Sequence, residues 1–186
     1  MVSAWSARLL DSLDSSDQRA TALAAALTAD QLNWHPAPGA WSIGQCLEHL
    51  CMGNELYAAA MADSLAGQSA APVQDIRPGW FGRWFIRSFI EPSPQSKRAP
   101  APKKIVPGTH VELSVLDRFL RSNQAVREVI RRAADLDVNR IRFRNPFLPV
   151  IRFTVGTGLE ILTGHERRHL QQAERVKQSP EFARGL

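Results

Sequence analysis

Two histidines near the end of the chain have the residue type and spacing that metal chemistry requires. They occur in the run Gly164-His165-Glu166-Arg167-Arg168-His169-Leu170. In a helix, residues four apart lie on one face, one turn from each other. Two imidazoles placed in this way can bind one divalent metal ion. Because two ligands rarely hold a metal alone, we expect a third ligand from elsewhere in the chain.

The predicted third ligand is His49, which lies close to the inward face of another predicted helix. The stripe that carries His165 and His169 also carries Leu162 and Val176, so both imidazoles are predicted to face inward. Facing helices are where bundles build metal sites, and three neutral imidazoles leave one coordination position open. The simpler alternatives are a solvated pair and, for His49, a core histidine bonded to a carbonyl.

The same run matches His-Glu-x-x-His, in which Glu166 would be the general base of a zinc protease. Arginines at the two middle positions do not suit a buried protease helix. The extended form of the motif also fails, because Gln172 and Arg175 stand where a glycine and a third histidine are required. We therefore keep the protease as a second alternative and interpret Glu166 as a neighbour of the ligands.

Four long helices are predicted to position these residues, because apolar residues recur at spacings of three and four. They cover approximately residues 4–27, 42–66, 109–134 and 154–177. Capping boxes mark the start of the second helix, at Ser42 and Gln45, and of the third, at Thr109 and Glu112. A further box at Thr28 predicts a short helical turn.

Little of the chain has the pattern of a strand, so the predicted fold class is all-α. Residues 67–108 are rich in Gly, Pro, Ser and Ala, which predicts an irregular crossover with a short aromatic helix after Pro78. Residues 137–150 form a second predicted connection. The expected architecture is a four-helix bundle with a long crossover between the second and third helices, forming one domain over residues 1–186.

The amino-acid composition of the chain limits the kinds of protein that it can be. With 44% hydrophobic and 22% charged residues, the 186-residue chain is typical of a soluble globular protein. We expect no membrane span, because no apolar run approaches about 20 residues, and a cytoplasmic location, because the N-terminus lacks a signal-peptide pattern. Cys46 and Cys51 are predicted to be reduced core residues. The net charge of +5 is scattered over helical faces, so we expect no specific nucleic-acid partner.

The crossover contains one basic cluster, Lys97-Arg98 with Lys103-Lys104, near the aromatic segment 80–90. Such a combination could contact phosphate or an acidic lipid surface. The favoured interpretation is that the crossover packs its aromatic side chains over the mouth of the bundle, while the basic edge is solvated. In a functional version of this interpretation, the aromatic side chains cover the metal pocket.

Two stretches resemble the DinB-like superfamily. The run Trp41-Ser42-Ile43-Gly44-Gln45-Cys46-Leu47-Glu48-His49-Leu50, preceded by residues 32–39, is similar to its second-helix signature. The spacing of His165 and His169 is similar to its C-terminal histidine pair. The resemblance implies a four-helix bundle, often a homodimer, with His49, His165 and His169 binding zinc, nickel or iron. It also implies that some members activate a low-molecular-weight thiol in transferase or isomerase reactions.

The resulting hypothesis is a metal-dependent enzyme of the thiol-transferase or hydrolase type, acting on a small-molecule substrate. Its cofactors would be the divalent metal and, for thiol transfer, a low-molecular-weight thiol. The first alternative is a non-catalytic module that binds a metal or another ligand.

Overall fold

The periodic segments of the sequence fold as helices in this computed structural model, which describes residues 3–91 and 100–184. In chain order the elements are α1 Ala4–Ala24, α2 Ala29–Asn33, α3 Ile43–Ser64, α4 Trp80–Phe85, α5 Val115–Ala133, β1 Arg142–Arg144, β2 Arg152–Thr154, α6 Val155–Lys177 and α7 Pro180–Arg184. A π-helical turn, Ile86–Ile90, continues α4, and a 3-10 turn spans Lys103–Ile105. The prediction that the chain is mainly α-helical is confirmed.

The four long helices α1, α3, α5 and α6 pack against one another. Helices α3 and α1 each contact both α5 and α6, and two clusters of buried apolar residues fill the space between them. One cluster is centred on Leu9, Leu13 and Leu159, and the other on Leu47 and Phe119. The burial of these side chains is the main force that holds the helices together.

Both cysteines lie in this core, unpaired, as predicted. Burial raises the pKa of the Cys46 and Cys51 thiols to about 12, so neither is ionised near neutral pH. Within the described ranges, no helix is both long enough and apolar enough to cross a membrane.

The predicted start of the third helix is wrong. The capping box of Thr109 and Glu112 does not open a helix, and α5 begins at Val115 instead. Asn33 at the end of α2 explains the difference: its Oδ1 accepts from the Val111 N–H at 2.8 Å, and its Nδ2 donates to the Val111 carbonyl at 2.9 Å. These long-range bonds occupy the backbone groups that a helical turn would have used.

The second connection contains a β-hairpin that the sequence analysis did not predict. Its strands are antiparallel, with Phe143 opposite Phe153 and Arg144 opposite Arg152. The two phenylalanines are buried, whereas the arginines beside them are exposed. Strands of three residues give too few alternations for a recognisable pattern.

The crossover is irregular, and the predicted short helix after Pro78 is confirmed as α4. The Trp5 indole holds the beginning of the crossover, because it donates to the Val73 carbonyl at 3.1 Å. Lys97 and Arg98, two members of the predicted basic cluster, lie outside the described residues.

Candidate metal centre

The N-terminal cap of α3 sets the position of His49. The Gln45 N–H donates to Ser42 Oγ at 3.1 Å and the Ser42 N–H donates to Gln45 Oε1 at 3.2 Å, which completes the predicted capping box. His49 follows about two turns later. The Gln45 Nε2 also donates to the Gly108 carbonyl at 2.8 Å, so the same residue ties the end of the crossover to α3.

The crossover in turn orients the His49 ring. His49 Nδ1 lies 2.7 Å from the Ile105 carbonyl, and because a carbonyl only accepts, Nδ1 carries the proton. Glu48 accepts from the Gly108 N–H at 2.7 Å, which holds the Ile105 segment in place. The unprotonated Nε2 therefore faces away from the crossover. The carbonyl bond considered as an alternative to metal binding is therefore present, and it leaves His49 Nε2 available to bind a metal.

The structure brings His49, His165 and His169 together. His49 Nε2 lies 3.0 Å from His165 Nε2, and one ligand atom from each of the three residues lies within 4.8 Å of the others. Zinc–nitrogen bonds of about 2.0–2.1 Å place tetrahedral ligand atoms roughly 3.3 Å apart. The cluster therefore has the size that a divalent ion requires, with small adjustments of the rings.

All three imidazoles are in the neutral form that binds metals. His49 is 3% exposed, and His165 and His169 are partly buried. Burial lowers the pKa of all three groups, and for His165 and His169 the neighbouring imidazoles lower it further. The pKa of His169 falls to about 3. No proton then has to leave the site before a metal binds near neutral pH.

Two further side chains belong to the site. His169 Nδ1 lies 3.1 Å from Gln172 Oε1, so Nδ1–H donates to the amide and Nε2 is left unprotonated. The Trp41 ring stacks on His169 at 5.6 Å and lies 4.7 Å from His49. The sequence analysis gave neither residue a role at the site. Gln172 lies three residues after His169, which places it one helical turn away and could have identified it.

Glu166 points away from the histidines, into the core between α1, α3 and α5. It is fully buried, and its Oε1 accepts from Asn54 Nδ2 at 2.9 Å. The Asn54 amide also donates to Asn123 Oδ1 at 2.7 Å, and Asn123 donates to Asp17 at 2.7 Å. Arg127 completes this network with bonds to Asp17 and to Asp14. A carboxylate committed to these partners is not placed to activate a nucleophile beside the three imidazoles.

Burial raises the pKa of Glu166 to about 7, although Ser16 and Asn54 partly offset this effect. Its Oε2 has no hydrogen-bond partner among the described residues. The Glu166 carboxyl is therefore close to half protonated at neutral pH.

His35 and His110 are exposed, and neither joins the cluster. The ring contacts of the aromatic segment do not support the functional version of the interpretation, in which this segment covers the histidines. The ring contacts of residues 80–90 are with one another and with Phe153, and the ring that lies on the described histidines is Trp41. The π-helical turn does reach α6, where Arg168 donates to the Phe89 carbonyl at 3.1 Å.

Comparison with known proteins gives one match. The model of a family described as the DinB superfamily matches residues 12–173, a range that contains all three histidines. No curated protein and no solved structure matches the chain.

Proposed function

The chain belongs to the DinB superfamily, and from this premise we propose that it is a metal-dependent enzyme of the thiol-transferase or hydrolase type. His49, His165 and His169 hold one divalent ion. The observation that carries the proposal is the convergence of three neutral imidazoles from α3 and α6, with ligand atoms within 4.8 Å of one another.

The donor set fits zinc, nickel or iron, because imidazole nitrogen is an accepted ligand for each of them. Bound at this site, such an ion supplies Lewis acidity that generates a nucleophile near neutral pH from water or from a low-molecular-weight thiol. The Ile105 carbonyl orients the His49 ring, and the Gln172 amide orients the His169 ring. Trp41 forms an apolar wall beside two of the three rings.

Charge near the cluster supports a reaction that develops negative charge. The Arg168 guanidinium lies close enough to lower the pKa of both His165 and His169. The same positive charge favours a thiolate or an anionic group of the substrate over its neutral form. We therefore infer that the substrate is a small molecule that carries or develops negative charge at the reacting group.

Two alternatives receive less support. A purely structural metal site would normally have four protein ligands, and in the described ranges no fourth His, Cys, Asp or Glu joins the three histidines. This favours catalysis over a non-catalytic module. A zinc protease would need Glu166 beside the metal, and Glu166 instead bonds to Asn54 in the core.

We also infer the architecture, the oligomeric state and the location of the protein. The four long helices would form a four-helix bundle, the whole chain one domain, and two chains a homodimer in the cytoplasm. The packing of α1 and α3 against α5 and α6 supports the bundle. Light scattering coupled to gel filtration tests the homodimer, since a monomeric mass at micromolar concentration would contradict it.

Elemental analysis of tag-free protein tests the metal site. We expect one divalent ion per chain in the wild type and none in His169→Ala. His110→Ala is the matched control, since this histidine is exposed and outside the cluster, and it should keep its metal. Turnover in thiol-transfer and hydrolysis assays should disappear with a chelator and return with metal. Activity that survives metal loss would contradict the enzyme proposal.

A further inference from the structure

Large apolar side chains are exposed at two places outside the candidate metal centre. On α4, Trp80 is 75% exposed and Trp84 is 42% exposed. On the loop that connects β1 to β2, Leu148 is 53% exposed and Val150 is 93% exposed. Exposed apolar groups on this scale commonly mark an interaction surface when they are contiguous.

Helix α4 packs on the buried, phenylalanine-bearing side of the hairpin. Phe81 lies flat on Phe153, with ring centroids 5.8 Å apart and an interplanar angle of 14°. The Phe85 ring lies 5.2 Å from the same residue. The exposed arginines of the strands point to the opposite side of the hairpin, away from α4. They share a surface with the loop that carries Leu148 and Val150, and we call the loop and these arginines the hairpin surface.

This surface is strongly basic. Arg142, Arg144 and Arg152 lie on the exposed face of the hairpin, and none of them has an ion-pair partner in the part of the chain that the structure describes. The register places Arg144 directly opposite Arg152, an arrangement of like charges that destabilises a sheet. Residues 140–152 contain four arginines and no acidic residue. Folding alone gives no reason for this concentration of unpaired charge.

A further cation lies at the loop itself. Lys104 Nζ donates to the Pro146 carbonyl at 3.0 Å, which holds a positive charge beside the exposed aliphatic residues. Basic groups thus surround a loop that presents Leu148 and Val150 to solvent.

We propose that the hairpin surface docks on a membrane that contains anionic phospholipids. Leu148 and Val150 enter the boundary between headgroups and acyl chains, and the arginines bind lipid phosphates. The protein lies on the membrane surface and does not cross it.

Charge complementarity and side-chain type select this occupant. A second copy of the chain would place the same unpaired arginines against each other in a two-fold contact. A nucleic acid would satisfy the arginines, but the aliphatic side chains of Leu148 and Val150 offer neither a stacking face nor a donor for base edges. An anionic lipid surface satisfies both the cations and the exposed aliphatic loop.

Vesicle sedimentation with the full chain tests the proposal. We expect binding to vesicles of phosphatidylcholine mixed with phosphatidylglycerol, and little binding to phosphatidylcholine alone. The triple substitution R142Q/R144Q/R152Q should weaken binding about 100-fold, since each arginine contributes roughly a factor of five. Val150→Asp should weaken it by about tenfold or more, and at 93% exposure this change leaves the core intact.

Matched controls separate a specific surface from general charge or hydrophobicity. Arg121→Gln removes an exposed arginine from α5, and Leu113→Ser removes a leucine that is 52% exposed, against 53% for Leu148. Both control variants should bind vesicles as the wild type does. Circular dichroism of each variant checks that the helices persist.

Three results would overturn the proposal. One is equal binding to neutral and anionic vesicles, or binding to neither. Another is an equal loss in the control variants. The third is tight binding of a single-stranded oligonucleotide, or dimerisation through this surface, without vesicle binding. None of these results bears on the metal site, which is tested separately by metal content.

Discussion

Replacement of Glu166 by Gln should change how the stability of the protein depends on pH. Burial raises the pKa of this carboxyl from an ordinary value of 4.5 to about 7. Between these two values the unfolded chain loses the proton while the folded chain retains it. Wild-type stability therefore falls as pH rises through this window, whereas the amide of Glu166→Gln does not titrate.

The size of the effect follows from the shift. A difference of one pKa unit corresponds to about 1.4 kcal/mol, so a rise from 4.5 to about 7 corresponds to about 3 kcal/mol. At about pH 4.5 the wild type and Glu166→Gln should be similar in stability, because both side chains are then neutral when folded. By about pH 8 the variant should have gained about 3 kcal/mol relative to the wild type.

The histidines produce the opposite trend without disturbing the comparison. Their pKa values are lowered in the folded state, so their contribution is complete above pH 6.5 and is lost as pH falls. Because both proteins contain the same histidines, this contribution cancels in the difference between them.

Urea unfolding at a series of pH values, with a chelator present, measures the effect. Glu128→Gln serves as the control, since this carboxylate is exposed on α5 and the variant should follow the wild type. A stability difference between Glu166→Gln and wild type that stays constant across the pH range would refute the reasoning. It would mean that Glu166 titrates normally despite its burial.

Three further predictions concern the site and its support. Gln172→Leu should weaken metal binding by about tenfold, because His169 Nδ1–H loses its acceptor. The control Gln171→Leu changes an exposed neighbouring position and should leave metal binding unchanged. Chelator competition measures the metal affinity of both variants. Metal affinity should stay nearly constant from about pH 8 to about pH 6, because the pKa values of the three imidazoles are lowered. Three unperturbed imidazoles would instead give a fall in affinity of roughly 70-fold over this range, and such a fall would contradict the lowered pKa values. Arg127→Ala should cost about 2 kcal/mol of unfolding free energy, because a largely buried guanidinium loses its bonds to partly buried Asp17 and exposed Asp14. Exposed Arg131→Ala should have a negligible cost in the same urea titration.

Local signals in the sequence predicted much of the helical framework. The capping boxes at Thr28 and Ser42 are both formed, and α6 begins at Val155, close to the predicted start at residue 154. Such signals depend on residues three or four apart, so they hold wherever no long-range contact competes for the same backbone groups. The inward stripe of α6 likewise predicted which of its residues would meet α3.

Long-range contacts account for what the sequence did not reveal. The capping box at Thr109 fails because Asn33 binds the backbone at Val111, from a distance of 78 residues. The carbonyl that orients His49 belongs to Ile105, in a segment without periodicity, 56 residues away. No local pattern encodes either contact. The three histidines of the cluster could be identified from the sequence, whereas the groups that orient their rings could be identified only in part.

The central claim is that His49, His165 and His169 together bind one divalent ion. X-ray absorption spectroscopy at the metal edge of tag-free protein tests it most directly, because it counts the ligands and identifies their type. The account predicts three imidazole nitrogens at about 2.0–2.1 Å, for zinc, and one imidazole fewer or no bound metal in His49→Ala. A shell containing sulfur, fewer than three imidazoles in the wild type, or a spectrum unchanged in His49→Ala would contradict it.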